Sequence, residues 1–96
     1  MLEIRPTCEH CNKLLPYNST EAMICGFECT YCKDCATTIL KNVCPNCGGG
    51  FTPRPIRPKK YLEKFPPKAE PVYNPTNMEK HAYLLHKFKD VNPEDR

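Results

Sequence analysis

The residues of this chain that could carry chemistry are its cysteines, eight among 96 residues. Six lie between Cys25 and Cys47, and the other two stand upstream as Cys8-Glu-His-Cys11. Two thiols separated by two residues can bind one metal ion together, because the intervening backbone turns its N–H groups toward the sulfurs. The spacing therefore predicts two sites of four sulfurs each, with two structural Zn²⁺ ions as the expected cofactors.

Two other uses of the cysteines stay open at this point. An even number of cysteines also suits a secreted disulfide scaffold. A run of the form Cys29-x2-Cys32-x2-Cys35, with a remote Cys44-Pro45, imitates the ligands of an iron–sulfur cluster. The first six residues contain neither the basic nor the apolar region of a secretion signal. We therefore expect a cytoplasmic chain, in which C-x-x-C pairs suit a metal better than disulfides.

The charge is distributed unevenly along the chain. Residues 1–50 contain four Lys or Arg against five Asp or Glu, whereas residues 51–96 contain ten against six. An acidic N-terminal half thus precedes a basic C-terminal half. No apolar run approaches the roughly 20 residues of a membrane span, so no membrane partner is expected.

Short elements must position the cysteines. Ala22–Ile24 and residues 28–31 are predicted to form two strands, with Gly26 easing the bend between them. Residues 35–42 are predicted to form a two-turn helix that begins after Asp34. The candidate core is small, so the metal is expected to be its principal part. Its members are predicted to be Leu15, Ile24, Phe27, Tyr31, Ile39, Leu40, Val43 and Phe51.

The chain divides into a head, residues 1–52, and an extension, residues 53–96. In the extension, residues 53–75 hold seven prolines among 23 residues. Such a linker is semi-rigid and is expected to hold the C-terminal residues away from the head. Residues 76–90 are predicted to form an amphipathic helix capped by Thr76 or Asn77, before a tail of residues 91–96. The apolar face of this helix is expected to be buried on the head, on a second copy of the chain or on a protein partner, with Met78, Leu84, Leu85 and Phe88 as the candidate partner contacts.

The cysteine spacing resembles that of RING fingers, with Cys29 where most of them have a histidine. The resemblance implies a cross-braced pairing, in which Cys8, Cys11, Cys32 and Cys35 bind one zinc and Cys25, Cys29, Cys44 and Cys47 bind the other. Cys32 and Cys35 also fall at the start of the predicted helix, where free N–H groups favour thiolates. The rival pairing is sequential, with the first four cysteines on one ion and the last four on the other. The predicted fold is a small metal-dominated α+β module, RING-like or treble-clef, followed by the linker and the helix.

A closer resemblance covers roughly the first 58 residues. Its motifs are M-L-E-I-R-P-x-C-E-H-C, I-C-x-F-E-C-T-x-C-x-x-C and C-P-N-C-G-G-G-F-x-P-R-P-I-R-P. They resemble a short bacterial family known only as a domain of unknown function. The resemblance implies a bacterial cytoplasmic protein and carries no activity with it.

The sequence favours a binding module over an enzyme. Zinc ions closed by four sulfurs have no open position for water, and no cysteine remains as a nucleophile. No small-molecule substrate is therefore expected. Ubiquitin ligation needs only a surface that docks a conjugating enzyme, yet His10 and Gly48 stand at two docking positions where ligases carry an aliphatic and a basic residue. The chain also has no tryptophan.

Nucleic-acid binding is the remaining alternative. The segment 54–61 is basic and ends in Tyr61, and its candidate contacts are Arg54, Arg57, Lys59 and Lys60. The acidic head argues against a deep phosphate groove. His10, His81 and His86 are interpreted as surface imidazoles. The favoured function is that of a non-catalytic zinc-binding scaffold for protein interactions.

Overall fold

A computed structural model describes all 96 residues as a small α+β fold built on a three-stranded antiparallel sheet. The strands are β1 (Ala22–Ile24), β2 (Thr30–Cys32) and β3 (Thr52–Pro53), in the order β2-β1-β3. The predicted hairpin of β1 and β2 is confirmed. Its second strand begins two residues later than predicted, because Glu28 has a φ of 67° and closes the turn.

The third strand is missing from the sequence prediction. Proline cannot donate to a sheet, so Pro53 suggested a linker rather than a strand. At the edge of the sheet its missing N–H costs nothing, and Pro53 pairs with Met23 of β1. Arg54 then extends the pairing, with its N–H donating to the carbonyl of Ala22 at 2.9 Å.

The helix predicted over residues 35–42 is a single π-helical turn, Cys35–Ile39. Two consecutive threonines explain the wider turn: the Thr37 hydroxyl donates to the carbonyl of Lys33 at 2.7 Å, and that of Thr38 donates to Asp34 in the same way. Such side-chain bonds compete with the regular backbone ladder. The Leu40 N–H instead reaches back five residues to Cys35 at 2.8 Å. Two residues with positive φ, Lys41 and Asn42, then end the turn.

The core differs in membership from the predicted one, because Ile4, Ala22 and Ala36 are buried as well. Five of the eight predicted members are buried, namely Leu15, Tyr31, Leu40, Val43 and Phe51. Ile24 is half-buried, while Phe27 and Ile39 are wrong, with exposures of 75% and 38%. Phe27 lies in the β1–β2 turn, where the chain offers nothing to cover its ring. Tyr31 and Phe51 meet edge to face with ring centroids 5.3 Å apart.

The proline-rich linker does not hold the rest of the extension away from the head. Its backbone runs along the N-terminal segment, where the Lys68 N–H donates to Ile4 and that of Asn74 donates to Glu9, both at 2.9 Å. A 3₁₀ turn, Lys59–Tyr61, interrupts it, and a second one, Pro93–Asp95, follows the helix. The expectation of a free spacer is therefore wrong. The linker is a docked strap.

The helix of the extension, α1, spans Met78–Phe88. Of the two predicted caps it uses Asn77, whose Oδ1 accepts from the N–H groups of Glu79 and Lys80 at 3.1 and 3.2 Å. The helix packs on the head through His81, which is 1% exposed. None of the helices is both long and apolar enough to cross a membrane.

Candidate metal centre

The first sulfur cluster brings together cysteines from two parts of the head. The Sγ atoms of Cys8, Cys11, Cys32 and Cys35 all lie within 4.8 Å of one another. A tetrahedral zinc with Zn–S bonds of about 2.3 Å requires sulfurs about 3.8 Å apart. Cys11 and Cys32 are separated by 3.8 Å. The cluster therefore has the size and the donor chemistry of a four-thiolate metal site.

Local turns hold these four sulfurs in place. Cys8 and Cys11 lie in a knuckle closed by a bridge between Thr7 and Leu14, with the Cys8 N–H donating to Lys13 at 2.9 Å. Asn12 takes the positive φ of 63° that the knuckle needs. Cys32 ends β2 and Cys35 begins the π-helical turn. The Cys35 N–H donates to the Cys32 sulfur at 3.4 Å and so helps to fix its position.

The second cluster is built from the β1–β2 turn and the loop after the π-helical turn. Cys25, Cys44 and Cys47 have sulfurs within 4.8 Å of one another. The predicted fourth member, Cys29, is buried but lies outside the mutual 4.8 Å group. Backbone N–H groups again reach the sulfurs: Phe27 donates to Cys25 at 3.3 Å, and Gly49 to Cys47 at 3.4 Å.

These two groups match the cross-braced pairing and not the sequential one. The sequential pairing requires Cys8 and Cys11 to share a site with Cys25 and Cys29, and the structure does not bring those four sulfurs together. The reason is the hairpin. It carries Cys25 and Cys29 at its turn and Cys32 at the far end of β2, so the two ends serve different clusters. All eight cysteines are free thiols.

Each cluster contains one thiol whose pKa lies below its ordinary value. In the second cluster a hydrogen bond from the Cys44 thiol lowers the pKa of Cys29 to about 5, whereas burial raises the pKa of Cys25 to about 11. In the first cluster burial opposes ionisation of Cys11, but the N–H of Lys13 and the Cys8 thiol outweigh it and lower the pKa. One thiol in each cluster therefore loses its proton more readily than an isolated cysteine does.

Two residues beside the sulfurs were missed in the sequence. Asn46, between Cys44 and Cys47, donates from Nδ2 to the Cys29 sulfur and to the Tyr31 hydroxyl, both at 3.4 Å. Glu9, between Cys8 and Cys11, is 2% exposed and accepts from Arg5 Nη1 at 2.8 Å and from the Thr30 N–H. The sequence feature that could have indicated them is their position between two paired cysteines, from which both side chains reach the neighbouring strand. Both link one knuckle to β2.

Two of the three histidines are not surface residues. His10 is half-buried, and its Nδ1 accepts from the Thr76 N–H at 3.2 Å. His81 is buried, with Nε2 at 3.1 Å from the Leu40 carbonyl and 3.0 Å from that of Val43. Their interpretation as free surface imidazoles is wrong, because the extension folds back onto the head. His86 is exposed as predicted.

The predicted helix surface for a partner is largely used within the chain. Leu84, Leu85 and Phe88 are half-buried, and only Met78, 46% exposed, points mainly to solvent. Phe88 lies against Gly48, and Arg96 donates from Nη1 to the carbonyls of Asn42 and Gly48 at 2.7 and 3.1 Å. This face therefore docks on the head rather than standing free.

The candidate nucleic-acid contacts separate into two pairs. Arg54 is 4% exposed and donates to the carbonyls of Arg5, Leu15 and Pro16, so its assignment as a phosphate contact is wrong. Arg57 is likewise occupied by the carbonyls of Leu2 and Phe65. Only Lys59 and Lys60 are exposed. The basic segment is fixed to the head by its arginines and presents its lysines to solvent.

The fold and the sulfur groups define a cysteine-rich α+β protein with two clusters that could hold metal ions. The chain belongs to the family described as "Protein of unknown function (DUF1272)", whose model matches residues 1–57. It is 51% identical over 75 residues to an uncharacterized protein of Rhizobium meliloti (strain 1021). The aligned region covers 78% of this chain and 89% of that protein. No solved structure matches the chain.

Proposed function

We propose that this protein binds two structural zinc ions and acts as a non-catalytic module for protein interactions. The observation that carries the proposal is the first sulfur cluster, in which two distant C-x-x-C pairs meet with all four Sγ atoms within 4.8 Å. Cys8, Cys11, Cys32 and Cys35 would hold one ion. Cys25, Cys44 and Cys47, with Cys29 beside them, would hold the other.

The donor chemistry favours zinc. Thiolates select soft or borderline metals, and a structural site of four cysteines in tetrahedral arrangement is typical of Zn²⁺. An iron–sulfur cluster held by Cys29, Cys32 and Cys35 would need these three sulfurs on one side of one cluster. The structure instead assigns Cys32 and Cys35 to one group and leaves Cys29 beside the other. Two separate groups of sulfurs suit two single metal ions better than one iron–sulfur cluster.

The absence of catalysis is part of the proposal and rests on the donor set. A zinc ion closed by four thiolates has no position left for water or substrate, and it serves the fold alone. In this proposal all eight cysteines serve as zinc ligands, with Cys29 completing the second set, so none is left as a nucleophile. The sulfur sites therefore support a binding surface rather than form one.

Ubiquitin-ligase-like activity is the alternative that the cysteine pattern raises. The two positions that dock a conjugating enzyme in ligases correspond to His10 and Gly48, and both are covered by the extension. Thr76 bonds to His10, and Phe88 lies on Gly48. With a standard set of conjugating enzymes we expect no ubiquitin chain formation. Robust chain synthesis that disappears in Cys35→Ser would contradict this part of the proposal.

Metal content is the direct test. Protein purified without added metal is expected to contain two zinc ions per chain by elemental analysis and to lack visible absorption bands. Cys35→Ser is expected to lower the zinc content to one ion or to prevent folding, while Thr37→Ser, two residues away and exposed, should keep both ions. A brown protein that contains iron would overturn the zinc assignment.

A further inference from the structure

The most apolar concavity of the molecule lies where the start of the head meets the extension. It encloses about 410 Å³, a volume within the range of clefts that seat ligands. Its apolar walls include Met1, Leu2, Ile56, Pro58, Tyr61 and Phe65, which we call the Ile56 groove. Ile56 is 51% and Tyr61 46% exposed, so the groove opens to solvent.

The groove is rigidly built. Arg57 ties its two walls together, because its guanidinium donates to the Leu2 carbonyl at 2.6 Å and to the Phe65 carbonyl at 2.7 Å. On the other side of Ile56, Arg54 is anchored to three carbonyls of the head. Ile56 therefore stands between two fixed residues. A ligand entering such a preformed cleft loses little free energy to ordering of the protein.

The rim of the groove carries unbalanced positive charge. Residues 57–68 include one arginine and four lysines but a single carboxylate, Glu63. Lys59, Lys60 and Lys64 form no ion pair, whereas Lys68 lies 3.5 Å from Glu3. The ammonium groups of Lys60 and Lys64 lie 5.1 and 5.5 Å from the ring centroids of Tyr61 and Phe65, beside the groove itself. Complementary charge on a ligand would thus be acidic.

From these observations we infer that the Ile56 groove binds an acidic peptide segment of a partner protein, with one large apolar side chain seated between Ile56 and Tyr61 and carboxylates facing Lys59, Lys60 and Lys64. The inference rests on the proposed interaction function and names the surface and the chemistry of the partner. The zinc clusters hold the scaffold, and the groove lies on the segment that both arginines fix to it.

Two other classes of ligand fit the groove less well. A nucleic acid would find only lysine ammonium groups here, because both nearby arginines are consumed by backbone carbonyls and cannot make the bidentate contacts by which guanidinium groups recognise phosphates and bases. A membrane surface favours a convex apolar patch that can insert, and this surface is concave. An acidic peptide satisfies the apolar walls and the lysine rim together.

The experiment uses the full-length, zinc-loaded protein. A displayed library of random peptides is selected on it, and the enriched sequences are synthesised with a fluorescent label for anisotropy titrations. We expect them to combine Asp or Glu with a large apolar residue and to bind more weakly as salt rises. Ile56→Glu should weaken binding at least about tenfold, as removal of a central apolar anchor does. Lys60→Glu should weaken it less and flatten the salt dependence.

Matched controls are available on α1 and at the residue that follows it. Tyr83→Glu changes an exposed aromatic residue and Lys89→Glu an exposed lysine, and neither residue lines the groove. Both variants should bind the peptides as the wild type does. Zinc content and circular dichroism establish that each variant is folded, and Tyr61→Ala replaces Ile56→Glu if the latter fails to fold.

The outcomes separate this inference from the proposed function. The inferred peptide binding would be contradicted by enriched peptides that lack acidic residues, by no enrichment, or by binding that Ile56→Glu leaves unchanged. Two zinc ions per chain would still support the proposed zinc-binding function in that case. Failure of the proposed zinc-binding function would instead appear as the absence of zinc in the elemental analysis. Phosphatidylglycerol vesicles and single-stranded RNA are titrated in parallel. Ile56-dependent binding to either of these, without peptide binding, would also overturn the inference.

Discussion

The ring of Phe88 lies directly on Gly48. A Cβ at position 48 would stand 2.7 Å from Cε2 of that ring, closer than unstrained carbons approach. Gly48 also has a φ of 77°, in the left-handed region that favours glycine. Since Gly48 follows Cys47, this contact joins the last helix of the extension to the loop of the second sulfur cluster.

Gly48→Ala is expected to be one of the most damaging single substitutions outside the cysteines. It adds the Cβ that Phe88 excludes and strains the backbone, which together cost about 2–4 kcal/mol of unfolding free energy. Chemical denaturation of the zinc-loaded protein measures the loss. Gly26→Ala is the matched control, because Gly26 has no positive φ and nothing lies within 4 Å of its Cβ position.

A double mutant isolates the contact itself. In Phe88→Ala the ring is gone, so adding Gly48→Ala should cost less than it does in the wild type, by about 1 kcal/mol or more. Equal costs in the two backgrounds would show that backbone strain, and not the ring, makes glycine necessary at position 48.

His81 fixes the same helix one turn from its start. The Nε2 of His81, which is 1% exposed, contacts the carbonyls of Leu40 and Val43, and the Leu40 carbonyl also accepts from the Val43 N–H at 3.0 Å. His81→Ala therefore leaves the Val43 carbonyl without a donor and the Leu40 carbonyl with one donor fewer. We expect a loss of about 1–3 kcal/mol and faster amide hydrogen exchange over residues 78–88, with zinc content unchanged. His86→Ala, on the exposed side of the same helix, should be close to neutral. Protected amides in His81→Ala would show that Phe88 and Arg96 suffice to dock the helix.

The grouping of the cysteines could be anticipated from the sequence because each knuckle is local. Cys8 and Cys11, or Cys44 and Cys47, are held by turns that the intervening residues specify, and the hairpin between them separates its two ends by a short, predictable distance. The amphipathic pattern and the cap at Asn77 likewise predict α1 within two residues at each end. Turns, caps and amphipathic patterns depend on neighbouring residues, so they can be predicted without knowing the tertiary structure.

The docking of the linker could not be anticipated, and that of the helix could be anticipated only as one of three alternatives, because the cause of both is non-local. Nothing in a proline-rich segment shows that the N–H groups of Lys68 and Asn74 find carbonyls near the first knuckle. For the same reason His81 and Arg54 were interpreted as surface residues by type, although both are buried by partners at least 38 residues away. The π-helical turn was missed for a different reason, since two threonine hydroxyls outcompete the regular ladder there.

Arg54 provides a test of a buried cation without an anion. Its guanidinium donates at 2.8 Å to Arg5, 3.1 Å to Leu15 and 2.7 Å to Pro16, joining β3 to the first knuckle's two flanks. A lysine ammonium is a single point and cannot serve three separated carbonyls. Arg54→Lys is therefore expected to lose about 2–3 kcal/mol of unfolding free energy, measured by denaturant unfolding. Lys59→Ala, five residues on and exposed, should change it by less than about 0.5 kcal/mol. A neutral Arg54→Lys would mean that water replaces the lost donors.

Removal of the proposed zinc ions should unfold the head. Few apolar side chains are fully buried. Half of the 12 residues in the buried cluster are cysteines, namely Cys8, Cys25, Cys29, Cys32, Cys35 and Cys44. Without ions those six sulfurs contribute little more than small apolar groups, whereas a structural zinc in a cysteine site contributes roughly 10–16 kcal/mol. A strong chelator at neutral pH is expected to abolish the native circular dichroism and to expose the amides of β1 and β2 to exchange, and stoichiometric Zn²⁺ should restore both. Because ligand thiols must lose their protons, the same unfolding should occur without chelator as the pH falls and the thiolates are protonated. A metal-free chain that keeps protected strand amides would show that Tyr31, Leu40 and Phe51 alone suffice to hold the sheet.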